Sequence, residues 1–315
     1  MSGIETIGAD VAASKIKLQS VPSHPPRPLE AGFWKSLLGK LSLRLSYYHT
    51  PSNRLFLKHV FSRGLELVVP SNEDAGRLIA FLGSYEREET DYLVPSIRPN
   101  DVCFDVGANA GYYTTLMARA ARLGSVHAFE PDPVCGALLQ LNVRINRLEN
   151  VALNPIVLGA TPGRVQFVRA SDSGFNSLRD TGRRPVSSTF PVTMNTMDAY
   201  ADAAGIRRVD VLKIDVEGAE GLVIEGARRL LENPSRQPRL ILLELFEPNQ
   251  RPFGSKIEDI VTRLGRCGYE PFVISEGKPA AYTRACIERY ANVFFRACDR
   301  ARDTECQTQG IHALD

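Results

Sequence analysis

From Leu65 onward, short runs of Val, Ile, Leu and Phe alternate with stretches of helical period. "VCFDVG" is followed by a helical period over 112–122, "SVHAFEP" by one over 134–146, and "VDVLKIDVEG" by one over 220–231. "VALNPIVLG", "RLILLELFE", "EPFVI" and "ANVFFRA" continue the series, with a helical period over 256–266 between the second and third of these. A strand with one face in water alternates apolar and polar residues, and these runs do not. Both faces must therefore be covered, which predicts a doubly wound α/β fold around a mostly parallel sheet.

Composition narrows the partners. The 315 residues suffice for one large domain with an appendage or for two domains. A formal charge of +2 is too small to favour nucleic acid. No apolar run approaches the roughly 20 residues a membrane-spanning helix needs. The first residues lack a basic start followed by an apolar block, so no signal peptide is expected. Six cysteines are scattered without a C-x-x-C pair. They read as reduced thiols in a cytoplasmic protein.

The chain divides into a proline-rich leader over 1–30, a helical, substrate-side extension over 31–90, a main domain over 91–300 and a tail over 301–315. Within the extension, Gly32 to His49 form an amphipathic pattern, Trp34, Leu38 and Leu41 opposing Lys35 and Lys40. The apolar face favours packing on the main domain, although a basic amphipathic helix also suits a membrane surface. Residues 161–200 are less regular and hold the polar run "SDSGFNSLRDTGRRP". Acceptor specificity is expected there and in residues 30–90. Oligomeric state is not determined by the sequence.

In open α/β sheets, ligands bind at the carboxyl ends of the strands. Gly107, Asn109 and Gly111 lie between the first run and its helix, where a tight turn lets a ligand approach the backbone and the helix N-terminus offers N–H groups. Glu130 ends the next run, just before Pro131, and is placed to accept the two hydroxyls of a ribose. Asn109 and Tyr112 stand where a dinucleotide fingerprint has glycines. Asp105, at the entry to the turn, suits an ammonium better than a phosphate. S-adenosylmethionine carries a ribose, an ammonium and a carboxylate, so it matches Asp105, Gly107, Asn109, Gly111, Tyr112, Glu130 and Pro131 together.

The same residues carry a resemblance. "DVGANAGYYT", "FEPDP", "LQLNVRINRLENV" and "LKIDVEGAE" resemble the FkbM family of S-adenosylmethionine-dependent methyltransferases. "GSYERE" is similar to that family's G-x-Y-E segment, which brings in Tyr85 and Glu86 as substrate-side residues. The resemblance implies a seven-stranded sheet whose last strand, "ANVFFRA", is antiparallel. It also implies O-methylation of a sugar, glycan, polyketide or other small molecule. A module that binds the donor without turnover, or a nicotinamide-dependent oxidoreductase, are the alternatives.

Lys213, Asp215 and Glu217 alternate along one strand end and are expected to share a face. Methyl transfer to a hydroxyl requires alignment and removal of one proton, and Asp215 is the expected catalytic residue. Glu217, with Glu244 at the end of the next run, is a substrate-side candidate. Asp215 and Glu244 together also raise the alternative of a hard cation such as Mg²⁺. His127 is expected to be a core histidine.

Overall fold

A computed structural model describes residues 64–70 and 72–298, together with the backbone strands Gln19–Ser20 and Leu55–Val60. The leader, the Gly32 to His49 pattern and the tail otherwise lie outside the described residues. The chain forms two compact units, 1–85 and 86–315.

In the first unit, Leu55–Val60 pairs antiparallel with Leu65–Pro70. Helix Asp74–Leu82 follows and ends at Gly83, whose N–H returns to the Ile79 carbonyl. Leu65, Leu67, Val68, Val69, Ile79 and Ala80 are buried. Within the 31–90 extension, Leu55–Val60 and Leu65–Pro70 thus form a β-hairpin, while the helix expected over Gly32 to His49 lies outside the described residues. Tyr85 closes this unit, and Glu86 opens the next.

The second unit is built on an eight-stranded sheet with a smaller three-stranded one. In chain order the elements that position the site are β1 (Val102–Val106), α1 (Tyr112–Ala120), β2 (Ser125–Phe129), α2 (Pro133–Ile145) and β3 (Val151–Asn154). Next come β4 (Val157–Leu158), β5 (Gly163–Ala170), β6 (Val186–Asn195), β7 (Val211–Ile214), α3 (Glu220–Gly226) and β8 (Leu240–Glu244). The last are α4 (Ile257–Arg266), β9 (Tyr269–Ser275), β10 (Lys278–Ala281) and β11 (Asn292–Ala297). The large sheet runs β10-β9-β11-β8-β7-β1-β2-β3. Strands β3, β2, β1, β7 and β8 are parallel, and β11 enters antiparallel between β8 and β9. That arrangement is the expected seven-stranded order, with the short edge strand β10 added as a hairpin on β9.

Burial explains the strand sequences. Phe104, Val126, Leu212, Ile214 and Ile241 are all fully buried, as interior parallel strands require. Helix α4 shows the complementary pattern. Ile257, Ile260, Val261 and Leu264 are buried at helical spacing, while Glu258, Asp259, Arg263 and Arg266 belong to its polar side. Helix α2 begins with Asp132 capping the Val134 N–H and Pro133 in the first turn.

Two departures matter for the site. "VALNPIVLG" is not one strand: it breaks at Pro155 into β3 of the large sheet and β4 of a second, small one. The irregular 161–200 region forms an antiparallel hairpin, β5 with β6, that completes this small sheet in the order β4-β6-β5. The polar run becomes the loop between β5 and β6.

Cys103, Cys135, Cys267 and Cys286 are thiols, whereas Cys298 is disulfide-bonded, unlike the expected reduced state. Among the described residues no helix is long and apolar enough to cross a membrane.

Candidate active site

The carboxyl ends of β1, β2 and β7 meet in one cleft that holds about 610 Å³ of empty space, part of it open to solvent. Gly107, Asn109, Glu130 and Pro131 line one side, and Asp215 and Glu217 line another. Asp105, Gly111 and Tyr112 do not line it.

The turn after β1 is held by the neighbouring strands. Gly107 and Ala108 both donate to the Phe129 carbonyl at 3.0 Å. Gly107 has φ +79°, and a Cβ there would stand 1.8 Å from the Asp215 carbonyl oxygen. Only a residue without a side chain lets the ends of β1 and β7 come so close. Behind the turn, fully buried Asn142 donates to the Ala110 carbonyl at 2.7 Å. Gly111 serves packing, since a Cβ would meet Leu139 Cδ1 at 2.4 Å.

Glu130 is buried at the centre of this side. Its Oε2 accepts from the Asn109 N–H and its Oε1 from the Asp132 N–H, each at 2.8 Å. Burial pushes its carboxyl up to about 8, against the pull of these two hydrogen bonds. Each oxygen retains a lone pair, so the pair of acceptors expected for a ribose is present. Phe129, Ile156, Val157, Leu158 and Phe167 form an apolar wall suited to a flat base, and Ser173, Gly174, Asn176 and Leu178 close the cleft from the β5–β6 loop. These residues fit a nucleoside.

Asp105 has another place. It is completely buried behind the turn, accepts the Thr114 hydroxyl at 2.5 Å and faces the Lys213 ammonium at 3.6 Å. Burial raises its pKa, with Lys213 and Thr114 opposing. It is a buried partner of lysine rather than a wall of the cleft, because it lies within β1 in register with Lys213 of β7. Tyr112 and Tyr113 are also buried and pack edge to face.

On the β7 side, Lys213 Nζ lies 3.1 Å from Asp215 Oδ2 and 3.2 Å from the Gly107 carbonyl. Burial alone would lower the ammonium's pKa, but Asp215, Asp105 and Glu86 outweigh it and raise it. Glu217 sits at φ +53°, a left-handed conformation unusual for a residue with a Cβ. Its Oε2 accepts from Arg183 at 3.0 Å and from Asn249 at 2.5 Å. Burial, then Asp215, pushes its carboxyl up to about 8.

Carboxylate oxygens of Asp215, Glu217 and Glu244 all lie within 4.8 Å of one another. Glu244 is pushed well above the usual carboxylate range by burial, then by Asp215 and Glu217, and its buried Oε2 has no hydrogen-bond partner. Glu86 accepts from the Tyr113 hydroxyl at 2.6 Å and from Asn292 at 2.9 Å, and burial followed by Asp215 raises it too. The alternative of a bound Mg²⁺ finds no support in this charge balance. Lys213 sits on Asp215 and Arg183 on Glu217, and burial drives Glu217, Glu244 and Glu86 towards their protonated forms.

Gly107, Asn109, Glu130, Pro131, Asp215 and Glu217 come together in one cleft, and Glu244 joins the two acids. Sequence reasoning missed Phe129, Ile156 and Phe167 of the apolar wall, together with Arg183 and Asn249. Arg183 comes from the polar run and stacks on Phe175 and Phe246 at 4.4 and 4.7 Å. His127 is a core residue, its Nδ1 2.8 Å from the Tyr200 hydroxyl and its pKa lowered by burial.

Strand order, glycine turn and paired acids point to a class I methyltransferase fold. Residues 105–271 match the methyltransferase FkbM domain, and the chain belongs to the FkbM methyltransferase family. It is 26% identical over 187 residues to methyltransferase sdnD of Sordaria araneosa, covering 50% of this chain and 71% of that one. It is 26% identical over 148 residues to the 2-O-methyltransferase NoeI of Sinorhizobium fredii, covering 42% and 60%. Similarity to the 31-O-demethyl-FK506 methyltransferase FkbM of Streptomyces tacrolimicus is 31% over 163 residues, covering 41% and 60%. The chain thus spans under two thirds of the length of the latter two. Family membership displaces the nicotinamide alternative.

Proposed function

We propose that this protein is an S-adenosylmethionine-dependent O-methyltransferase acting on a hydroxyl of a sugar, glycan, polyketide or other small molecule. One observation carries the reading: buried Glu130 and the Asp215–Glu217 pair face a single cleft. The relatives support oxygen as the acceptor atom, two of them being named for O-methylation or O-demethyl substrates.

When bound, the donor supplies an electrophilic methyl group whose leaving group is a neutral thioether. The protein's part is to bind, align and exclude water. Glu130 receives the ribose hydroxyls, the turn at Gly107 and Asn109 supports the rest of the nucleoside, and the apolar wall takes the base. Asp215, anchored by Lys213, receives the acceptor hydroxyl and aligns its oxygen. Such alignment supplies about 7–11 kcal/mol of the barrier in favourable cases.

The test has two arms. Calorimetry with S-adenosylhomocysteine should detect binding. Labelled S-adenosylmethionine should then be incubated with a panel of methyl glycosides, hydroxylated fatty acids and diol-bearing macrolactones. Asp215→Asn should lose about 10²-fold in turnover through misalignment of the acceptor while keeping S-adenosylhomocysteine affinity. Binding of S-adenosylhomocysteine by folded protein, without transfer to any member, would favour a non-catalytic module instead.

A further inference from the structure

Two acids two residues apart face the same cleft in unlike settings, although Asp215 alone stands out at the end of the strand. Asp215 is 27% exposed and paired with the Lys213 ammonium. Glu217 is 10% exposed, and its side chain meets a guanidinium and an amide on one oxygen only. Among the described residues, Glu217 Oε1 takes no hydrogen bond.

The backbone around Glu217 is over-determined. Glu220 accepts from the N–H groups of Val216 and Gly218, on either side of it. The Ser177 hydroxyl, from the β5–β6 loop, donates to the Glu217 carbonyl at 2.8 Å. A Cβ at Gly218 would stand 2.1 Å from the Asn249 carbonyl oxygen, so the segment carrying Asn249 presses directly on this turn. Left-handed strain in a residue with a side chain persists only where its surroundings enforce it, and it gathers at functional sites. Here it directs a carboxylate into the cleft with one oxygen clamped and the other open.

We infer that Glu217 is the general base of the methyl transfer, taking the acceptor proton through Oε1, while Asp215 aligns the hydroxyl. The inference rests on the O-methyltransferase reading. The acceptor oxygen gains the methyl carbon as the sulfur–carbon bond breaks with its electron pair left on sulfur, and the hydroxyl proton passes to Glu217. Water later removes that proton.

Electrostatics agree with this division of labour. A base works best when its pKa lies near the working pH, and carboxylates whose surroundings separate their pKa values take different roles. Burial first, then Asp215 and Glu220, outweigh the downward pull of Arg183 and Asn249 and bring Glu217 up to about 8. Glu244, from the end of β8, adds a third neighbouring acid. Arg183 keeps the charged form accessible, and its stacking between Phe175 and Phe246 holds it there.

The experiment compares wild type with Glu217→Gln, Glu217→Asp and Asp215→Asn. Turnover on the best acceptor of the panel is followed between pH 6 and 9.5, and glutamate carboxyls are titrated by ¹³C NMR with S-adenosylhomocysteine bound. In the wild type, turnover should rise with pH to a plateau with a midpoint near 8. Glu217→Gln should lose that rising limb and about 10²–10⁴-fold in turnover, with S-adenosylhomocysteine affinity changed less than about threefold and one high-pH carboxyl signal gone. Glu217→Asp should keep the limb at reduced rate, and Asp215→Asn should slow turnover but keep it. A limb that survives in Glu217→Gln, or vanishes in Asp215→Asn, overturns the assignment. A Glu217 carboxyl titrating below pH 6 does so whatever the acceptor. Wild type that binds no S-adenosylhomocysteine removes the methyltransferase reading itself, a separate failure.

Discussion

Replacing Lys213 with Met tests whether one buried ammonium holds the two strand ends together. Its Nζ lies 3.6 Å from Asp105 and 3.1 Å from Asp215, and its side chain is only 5% exposed. At 3.6 Å, in an effective dielectric of about 20, one such attraction is worth about 4–5 kcal/mol. Removing one partner of a buried pair typically costs about 3–5 kcal/mol, since the other charge is stranded. Asp105 is the stranded group: it is fully buried, and Thr114 is its remaining hydrogen-bond partner. Asp215 retains contact with water and contributes less. Lys213→Met should therefore lower unfolding free energy by about 3–5 kcal/mol near pH 7.5. At about 2–4 °C per kcal/mol, that lowers Tm by roughly 6–20 °C.

The pH dependence has a definite sign. Asp105 already has a raised folded pKa, and losing Lys213 raises it further. A raised acid favours folding below its unfolded pKa and loses that advantage as pH climbs through the folded value. The deficit of Lys213→Met should thus shrink on going from pH 7.5 to 5. Adding Asp105→Asn to Lys213→Met removes the stranded charge and should restore more than half of the loss. Denaturant unfolding at both pH values decides it. A loss below about 1 kcal/mol, or no recovery in the double variant, refutes the counter-ion reasoning.

Glu130→Ala strands the Asn109 and Asp132 N–H groups and should weaken S-adenosylhomocysteine binding about 10–100-fold by calorimetry; a change under about threefold counts against the ribose role. Gly107→Ala forces a Cβ into the Asp215 carbonyl at φ +79°, and should cost about 1–2 kcal/mol from the left-handed conformation alone, with further loss as β7 shifts; unchanged thermal stability would contradict the close approach. Glu130 and Glu217 are both pushed up to about 8, so the folded state holds more protons than the unfolded one between about pH 4.5 and 8. Denaturant midpoints should therefore fall across that window, and less steeply in Glu130→Gln than in wild type.

Much of this architecture was legible because its signals are local. Val102 to Gly107, Ser125 to Glu130 and Val211 to Asp215 each join an apolar strand to an acid or a glycine, and burial on both faces leaves little else for such runs to form. The antiparallel position of Asn292–Ala297 came from family resemblance and is what the sheet shows. Asp105 was harder. The sequence places an acid at the mouth of the turn, but only the register opposite Lys213 shows that it points behind the turn. Of the roof of the cleft, the sequence marked only the 161–200 region as a seat of acceptor specificity. Phe167 and Leu178 belong to a hairpin whose alternation is weak, with Gln166 and Arg169 between its apolar residues, so their place in the wall was not readable. Arg183 and Glu217 meet across 34 residues. Pairings of that kind depend on how separate elements stack, which periodicity does not report.

The near-contact between Gly107 and the Asp215 carbonyl has an implication for adaptability. Where the ends of β1 and β7 abut with no room for a methyl group, neither can drift without dragging the other. A change in the shape of the cleft would have to come from elsewhere, and the β5–β6 loop belongs to neither strand end, with Ser173, Ser177 and Arg183 as the points that tie it to Asn109 and Glu217.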